Sequence, residues 1–217
     1  MQIPLLSLEI THRCNLNCVL CDHRIASSDY DCMTLEQYKR VAHAFASHEI
    51  NAVDLTGGEP LLHPDLMYMA QCMRQDFRCQ QTGLKTNCIA LTPEIAVLFD
   101  YICGTHYPGR NDFAYERWKH EKRIRWEHRA EMWNPYVDPD LSEEMAQRAF
   151  QRCPKRGFRV LADNLYACCS AESIERYYRT EPIHVWLGNV DWEGRLKGMK
   201  AWQGCQRCFR SPQLLVG

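Results

Sequence analysis

Cys14, Cys18 and Cys21 stand in "THRCNLNCVLCD" with gaps of three and then two residues. Thiolates bind soft metals and iron–sulfur clusters. A structural zinc site wants four nitrogen or sulfur ligands, so this loop falls one short unless His12 or His23 completes it. A [4Fe–4S] cluster held by only three cysteines keeps one iron open to another ligand. A second set lies toward the other end: Cys153, the adjacent pair Cys168-Cys169, then Cys205 and Cys208 in "GCQRCF". One member of the pair plus the other three makes four thiolates. That suits a closed [4Fe–4S] cluster or a Cys₄ zinc site.

Thirteen cysteines in 217 residues would suggest disulfides in a secreted chain. Here the count is odd, and "MQIPLLSLEI" lacks a basic n-region and a small-residue cleavage site. Metal or cluster ligation is therefore the better reading, in a cytoplasmic protein. The formal net charge of -1 argues against a global field for nucleic acid or membrane, and no apolar run is long enough to span a bilayer. An apolar content of 46% can supply the core of one large domain with a small appendage.

The elements that must position these cysteines alternate. Ile3–Ile10 reads as a strand, and the cysteine loop follows it. Thr34 opens a helix with Gln37 placed as in a capping box, and Leu35, Tyr38, Val41, Ala42 and Phe45 form its apolar face. Further strands are predicted at Ala52–Thr56, Gly83–Asn87, Tyr101–Thr105 and Ile124–Met132. Helices are expected over Leu66–Met73, from Thr92-Pro93 through Phe99, over 113–123 and over Ser142–Arg152. Such β-α alternation gives a parallel sheet whose function collects at the C-terminal ends of the strands. The cysteine loop, Gly57-Gly58-Glu59-Pro60 and Asn87-Cys88 all fall at that end. After Cys153 a hairpin is expected in "FRVLADNLYACC", turning at Asp163-Asn164, then a short helix near Ala171–Arg179. The chain divides on this reading into a core over 1–150 and a cysteine-bearing subdomain over 151–217. The sequence passes straight into the first strand, so no leader-binding domain is expected in front of it.

CxxxCxxC after the first strand, "TGGEP" (Thr56–Pro60) after the second and "LKTN" (Leu84–Asn87) at the third resemble the radical S-adenosylmethionine (SAM) superfamily. The resemblance implies an α/β fold, a partial (β/α) barrel. It also implies that Cys14, Cys18 and Cys21 hold three irons of a [4Fe–4S] cluster while SAM chelates the fourth. The reduced cluster then cleaves SAM to a 5'-deoxyadenosyl radical, which takes a hydrogen atom from substrate. An electron donor such as flavodoxin or ferredoxin is implied as partner. Gly57, Gly58, Glu59 and Pro60 would lie against the SAM amino group, the glycines letting backbone approach without a Cβ in the way. Leu20 stands where the family often carries an aromatic residue near the adenine. Asn87 and Thr105, with His106 beside it, end strands on the same side, and Glu127 or Arg129 would reach the SAM carboxylate or the substrate.

The tail resembles a twitch-like auxiliary-cluster module, as in the 2-deoxy-scyllo-inosamine dehydrogenase family. The resemblance implies an auxiliary [4Fe–4S] cluster on Cys153, Cys168, Cys205 and Cys208. Cys169 is left as a spare thiol able to give a hydrogen atom, although the roles of Cys168 and Cys169 are interchangeable on sequence. The implied activity is a radical SAM oxidoreductase acting on a carbohydrate-like or aminocyclitol small molecule. The alternatives are modification of a ribosomal peptide, or redox-neutral epimerisation through the spare thiol. Basic and aromatic residues mix over Tyr115–Trp133, but interleaved Glu116, Glu121, Glu127 and Glu131 suit a solvated, salt-bridged face. If this stretch serves the site, Trp126, Glu127, His128 and Arg129 are the expected substrate contacts.

Overall fold

The computed structural model describes residues 2–16, 18, 31–129, 142, 144–145, 147–148, 158–166, 184–189 and 191–197. Strands β1 (Gln2–Thr11), β2 (Glu49–Gly57), β3 (Gln81–Thr86), β4 (Tyr101–His106) and β5 (Ile124–His128) are parallel neighbours in sequence order. β6 (Phe158–Leu161) adds in parallel to the other side of β1, and β7 (Asn164–Tyr166) and β8 (Val185–Trp186) continue antiparallel. The sheet order is β5-β4-β3-β2-β1-β6-β7-β8, a partial-barrel arrangement in which β1 is central.

The connecting helices are α1 (Leu35–Phe45), α2 (Leu66–Phe77), α3 (Pro93–Ala96) and α4 (Asp112–Trp118). α1 starts where the capping box places it. The Thr34 side chain accepts from the Gln37 amide at 3.2 Å, and Gln37 Oε1 accepts from the Thr34 amide at 2.8 Å. Its face of Tyr38, Val41, Ala42 and Phe45 is buried against Leu6, Leu8, Ile10, Val53 and Leu55 from the sheet and Met69, Met73 and Phe77 from α2. Each large apolar side chain so buried contributes about 1.5–3 kcal/mol. A last helix, α5 (Trp192–Lys197), sets Trp192 against Phe45 at 5.1 Å between ring centroids, and His48 meets Glu193 at 3.2 Å.

Several boundaries differ from expectation for local reasons. α2 runs on to Phe77 because Arg78 closes it in the left-handed conformation, φ 49°. α3 ends at Ala96 because Leu98 and Phe99 bond back only three residues, to Ile95 and Ala96. α4 stops at Trp118, with Glu121 folding back on the Trp118 carbonyl before β5 begins. The hairpin turns at Ala162-Asp163, one residue early. Leu161 pairs with Asn164, so Asn164 belongs to the strand and Ala162 takes φ 52°. Residues 144, 145, 147 and 148 are helical, with the Met145 amide bonded to Ser142 Oγ at 3.3 Å. The helix expected near Ala171–Arg179 lies outside the described residues. No described helix is long and apolar enough to cross a membrane.

Candidate active site at the strand ends

The C-terminal ends of β1, β2 and β3 are stitched together by backbone and by three buried polar side chains. Beyond β1 the chain enters the cysteine loop, and the glycine turn beyond β2 lies directly against it. The Gly58 amide donates to the Thr11 carbonyl at 2.7 Å, and the Glu59 amide donates to the Arg13 carbonyl at 2.8 Å. A Cβ on Gly57 would lie 2.2 Å from the Thr11 oxygen, and one on Gly58 would lie 2.3 Å from the Arg13 oxygen. Gly57 also sits at φ 135°, which side chains rarely adopt. The glycines therefore serve first to admit the backbone of the cysteine loop itself.

Glu59 turns inward and is fully buried. Its Oε1 accepts from Thr86 Oγ1 at 2.6 Å and from the Leu61 amide at 3.2 Å, and its Oε2 accepts from the Asn87 amide at 2.8 Å. Burial pushes its carboxyl up to about 7, against the pull of these donors. Pro60 opens the short 3₁₀ turn Pro60–Leu62 that Glu59 caps. Asn87 reaches the cysteine loop through a 2.7 Å bond from its Nδ2 to Asn15 Oδ1. Asn111, fully buried and not singled out by sequence, extends the network to β4: its Nδ2 donates to the carbonyls of Asn87 (2.7 Å) and Thr105 (2.8 Å). A lone asparagine before a helix carries no sequence signal for this three-way link.

Within this frame Cys14 and Cys18 are half-buried on one short loop. The Leu16 amide points at Cys14 Sγ (3.4 Å), and the Cys18 amide donates to the Leu16 carbonyl (2.9 Å). Two half-buried cysteine sulfurs on one short loop at the strand ends fit part of an iron–sulfur ligand set. Leu20, Cys21 and His23 lie outside the described residues, as do Cys153, Cys168, Cys169, Cys205 and Cys208. His12 is buried, with Nε2 3.1 Å from Glu9 Oε1, and Glu9 also meets Arg159 of β6 at 2.5 Å. A buried polar layer thus joins the start of the cysteine loop to the strand that follows Cys153. Cys88 sits at φ 62°, and burial, then Glu59, pushes its thiol up to about 12; it stays a protonated core side chain.

Strand alternation divides the residues expected to reach substrate. On β4 and β5, Gly104 pairs with Trp126 and His106 with His128, on the face that carries Ile102 and Ile124 toward α4. There His106 Nδ1 lies 2.9 Å from His128 Nδ1, His106 Nε2 lies 2.7 Å from Asp112 Oδ1, and Tyr115 stacks on His106 at 4.4 Å. Thr105 and Glu127 pair on the opposite, inner face, in line with Cys103 and Arg125. Arg129 is bonded to Glu127 at 3.1 Å and follows on from the His106 carbonyl. Thr105, Glu127 and Arg129 therefore border the cysteine loop's side of the sheet, and Trp126 and His128 do not.

Residues 8–167 match the family model described as Radical SAM superfamily. Among curated proteins, the GTP 3',8-cyclase of Rhizobium meliloti (strain 1021) is 30% identical over 107 residues, 47% of this chain and 30% of that protein. Molybdenum cofactor biosynthesis protein 1 of Bos taurus is 33% identical over 89 residues, 40% of this chain and 14% of that protein. The matched stretch thus spans less than a third of these relatives. Among solved structures, BtrN in an open conformation superposes with a TM-score of 0.62 at 14% identity, covering 95% of this chain and 92% of that one. BtrN in complex with AdoMet and 2-DOIA gives 0.60 at 14%, covering 98% and 85%. Native anSMEcpe with bound AdoMet and Kp18Cys peptide gives 0.52 at 11%, covering 99% and 83%. At these identities the likeness is one of fold.

Proposed function

Because this chain belongs to the radical SAM superfamily, we propose that it is an oxidoreductase that removes hydrogen from a carbohydrate-like or aminocyclitol small molecule. The family brings a [4Fe–4S] cluster and SAM, which together supply hydrogen-atom abstraction from an unactivated carbon. Cys14, Cys18 and Cys21 are the proposed ligands of that cluster. Gly57, Gly58, Glu59 and Pro60 shape the wall against the bound SAM, the glycine backbone making the contact while the Glu59 carboxyl braces the turn from behind. Leu20, Asn87, Thr105 and Arg129 complete the proposed SAM surroundings.

The observation that carries this reading is the lock between the glycine turn and the cysteine loop, Gly58 on Thr11 and Glu59 on Arg13. It holds Cys14 and Cys18 at the strand ends, against the turn that follows β2. For the second half of the reaction we propose an auxiliary cluster on Cys153, Cys168, Cys205 and Cys208, in a subdomain spanning 151–217. Its role is to accept the second electron of a net two-electron oxidation, with a flavodoxin- or ferredoxin-like donor feeding the first cluster and the enzyme working in the cytoplasm. Cys169 is the spare thiol. A fold shared with a structure that holds a bound peptide supports a second reading, a peptide substrate.

Iron and sulfide counting on anaerobically reconstituted protein tests the assignment. In a Cys14→Ala, Cys18→Ala, Cys21→Ala variant the expected result is one full remaining [4Fe–4S] cluster. A variant with no iron would mean that the tail is zinc or bare thiols. Solvent deuterium appearing at a substrate carbon would then favour epimerisation, and a mass loss of two hydrogens would favour oxidation.

A further inference from the structure

The inner face of the sheet carries a second polar group, apart from the lock between the glycine turn and the cysteine loop. Ser7, Asp54 and Gly83 are register partners across β1, β2 and β3, and Lys85 on β3 pairs with Cys103 on β4. Lys85 Nζ lies 2.9 Å from Asp54 Oδ2 and donates to Ser7 Oγ at 3.1 Å. The Asp54 side chain is 1% exposed, and that of Lys85 is 38% exposed. No other donor among the described residues reaches the Asp54 oxygens. An ammonium has three N–H donors; Ser7 Oγ takes one of them, and Asp54 balances the charge as an ion pair.

The Lys85 side chain is partly exposed, so N–H capacity remains for a ligand, and its chemistry is unusual for a lysine. A bare ammonium attracts phosphate and carboxylate as a point charge. Here the charge is matched at contact distance by a carboxylate with no competing donor. On the central strands Arg159 faces Glu9, and Arg125 stands on the same face as Lys85, across Cys103. What remains at Lys85 is an N–H whose own charge is balanced at contact distance by a buried carboxylate. Such a donor suits a neutral oxygen and offers a polyanion little, because specificity comes from the mismatch as much as from the match.

We propose that Lys85 is a substrate-contact residue, held by Asp54 and Ser7 as positioning residues, and that it donates to a hydroxyl or carbonyl oxygen of an uncharged polyol-type substrate and not to a nucleoside triphosphate. This inference rests on the small-molecule reading above and adds to it the residues and the selectivity.

Calorimetric titration of the reconstituted, SAM-loaded holoenzyme with scyllo-inositol and with GTP tests it. Wild type is expected to bind scyllo-inositol and not GTP. Lys85→Met should weaken scyllo-inositol about tenfold or more, the usual worth of a charge-assisted hydrogen bond. Ser7→Ala should weaken it by about threefold or less, since the ion pair persists. Asp54→Asn should gain GTP binding, because the ammonium is then uncompensated. Circular dichroism and SAM binding check that each variant folds, and if Asp54→Asn does not fold, Lys85→Met and Ser7→Ala decide. Unchanged scyllo-inositol binding in Lys85→Met, preference of wild type for GTP, or binding of neither probe would overturn the inference. A folded Asp54→Asn that gains no GTP binding would also overturn it. If binding behaves as expected but the tail holds no iron, the oxidation reading fails and the inference stands. If a polyol is oxidised while Lys85→Met binds it normally, the inference alone fails.

Discussion

Two polar networks lie at the ends of the same strands and do different work. One joins β1, β2 and β3 through Gly58, Glu59, Thr86 and Asn87, and every member of it is buried, half-buried or backbone. The other joins β4, β5 and α4 through His106, His128, Asp112 and Tyr115, and much of it faces water. The first has no room to relax, because backbone meets backbone. The second is made of side chains that can turn. A site that must hold two thiolates at fixed spacing belongs on the rigid network, and the geometry puts Cys14 and Cys18 there.

Paired glycine substitutions break this comparison most directly. Gly58→Ala places a methyl 2.3 Å from the Arg13 carbonyl, so the cysteine loop has to move. The expected cost is about 3 kcal/mol. For a chain of this size that lowers the thermal midpoint by about 6–12 °C, and iron loading should fall with it. Gly109→Ala lies on the second network's side. Gly109 has φ 81° but nothing within 4 Å of a built Cβ, so it pays only backbone strain, about 1 kcal/mol. Differential scanning and iron assay of both variants check the contrast. Equal losses would mean that the two networks are equally stiff.

Titration sharpens the same contrast. The Glu59 carboxyl sits near 7 in the folded chain and near its ordinary 4.5 when unfolded. The folded state therefore binds a proton more tightly. The stability this lends is fully present below about 4.5 and is lost as pH rises through about 7. Between pH 5 and 7.5 the expected loss from this one group is about 2 kcal/mol. Glu59→Gln carries no titrating proton there, so its stability should be flatter over that range, measured by urea unfolding at several pH values. Parallel curves for the two proteins would show that the carboxylate is better solvated than its burial implies.

The rigid network was largely legible in the sequence, because its parts are types with few alternatives. Gly57 at φ 135° and Gly58 under the Arg13 carbonyl admit no side chain, and outside the network Thr34 with Gln37 three residues on has one common use. What sequence left open was direction. The resemblance places the Gly57–Pro60 segment against the SAM amino group without saying where its carboxyl turns, and Glu59 turns it to Thr86 and Asn87. Asn111 bonds three strand-end groups, but an isolated asparagine in a loop carries no periodicity that would announce it. Over Trp126–Arg129 the residue types suggest one substrate surface. The two-residue period of the strand sends alternate members to opposite faces, and only the register with β4 tells which go where.

The smallest effect is expected on the outer network and is the most informative about that division. Asp112 accepts from His106 Nε2, and this bond holds its carboxyl below the usual carboxylate range. An ionised carboxylate only accepts, so His106 Nε2 is the donor to Asp112, and His106 Nδ1 lies 2.9 Å from His128 Nδ1. His128 ends a chain of contacts that runs from the sheet edge into α4, away from the inner face. His128→Ala should cost about 1 kcal/mol for the lost hydrogen bond. It should leave iron content, SAM affinity and scyllo-inositol binding at wild-type values. A fall in SAM affinity with iron content unchanged would place His128 on the cofactor's side of β5, and the separation of the two faces would have to be redrawn there.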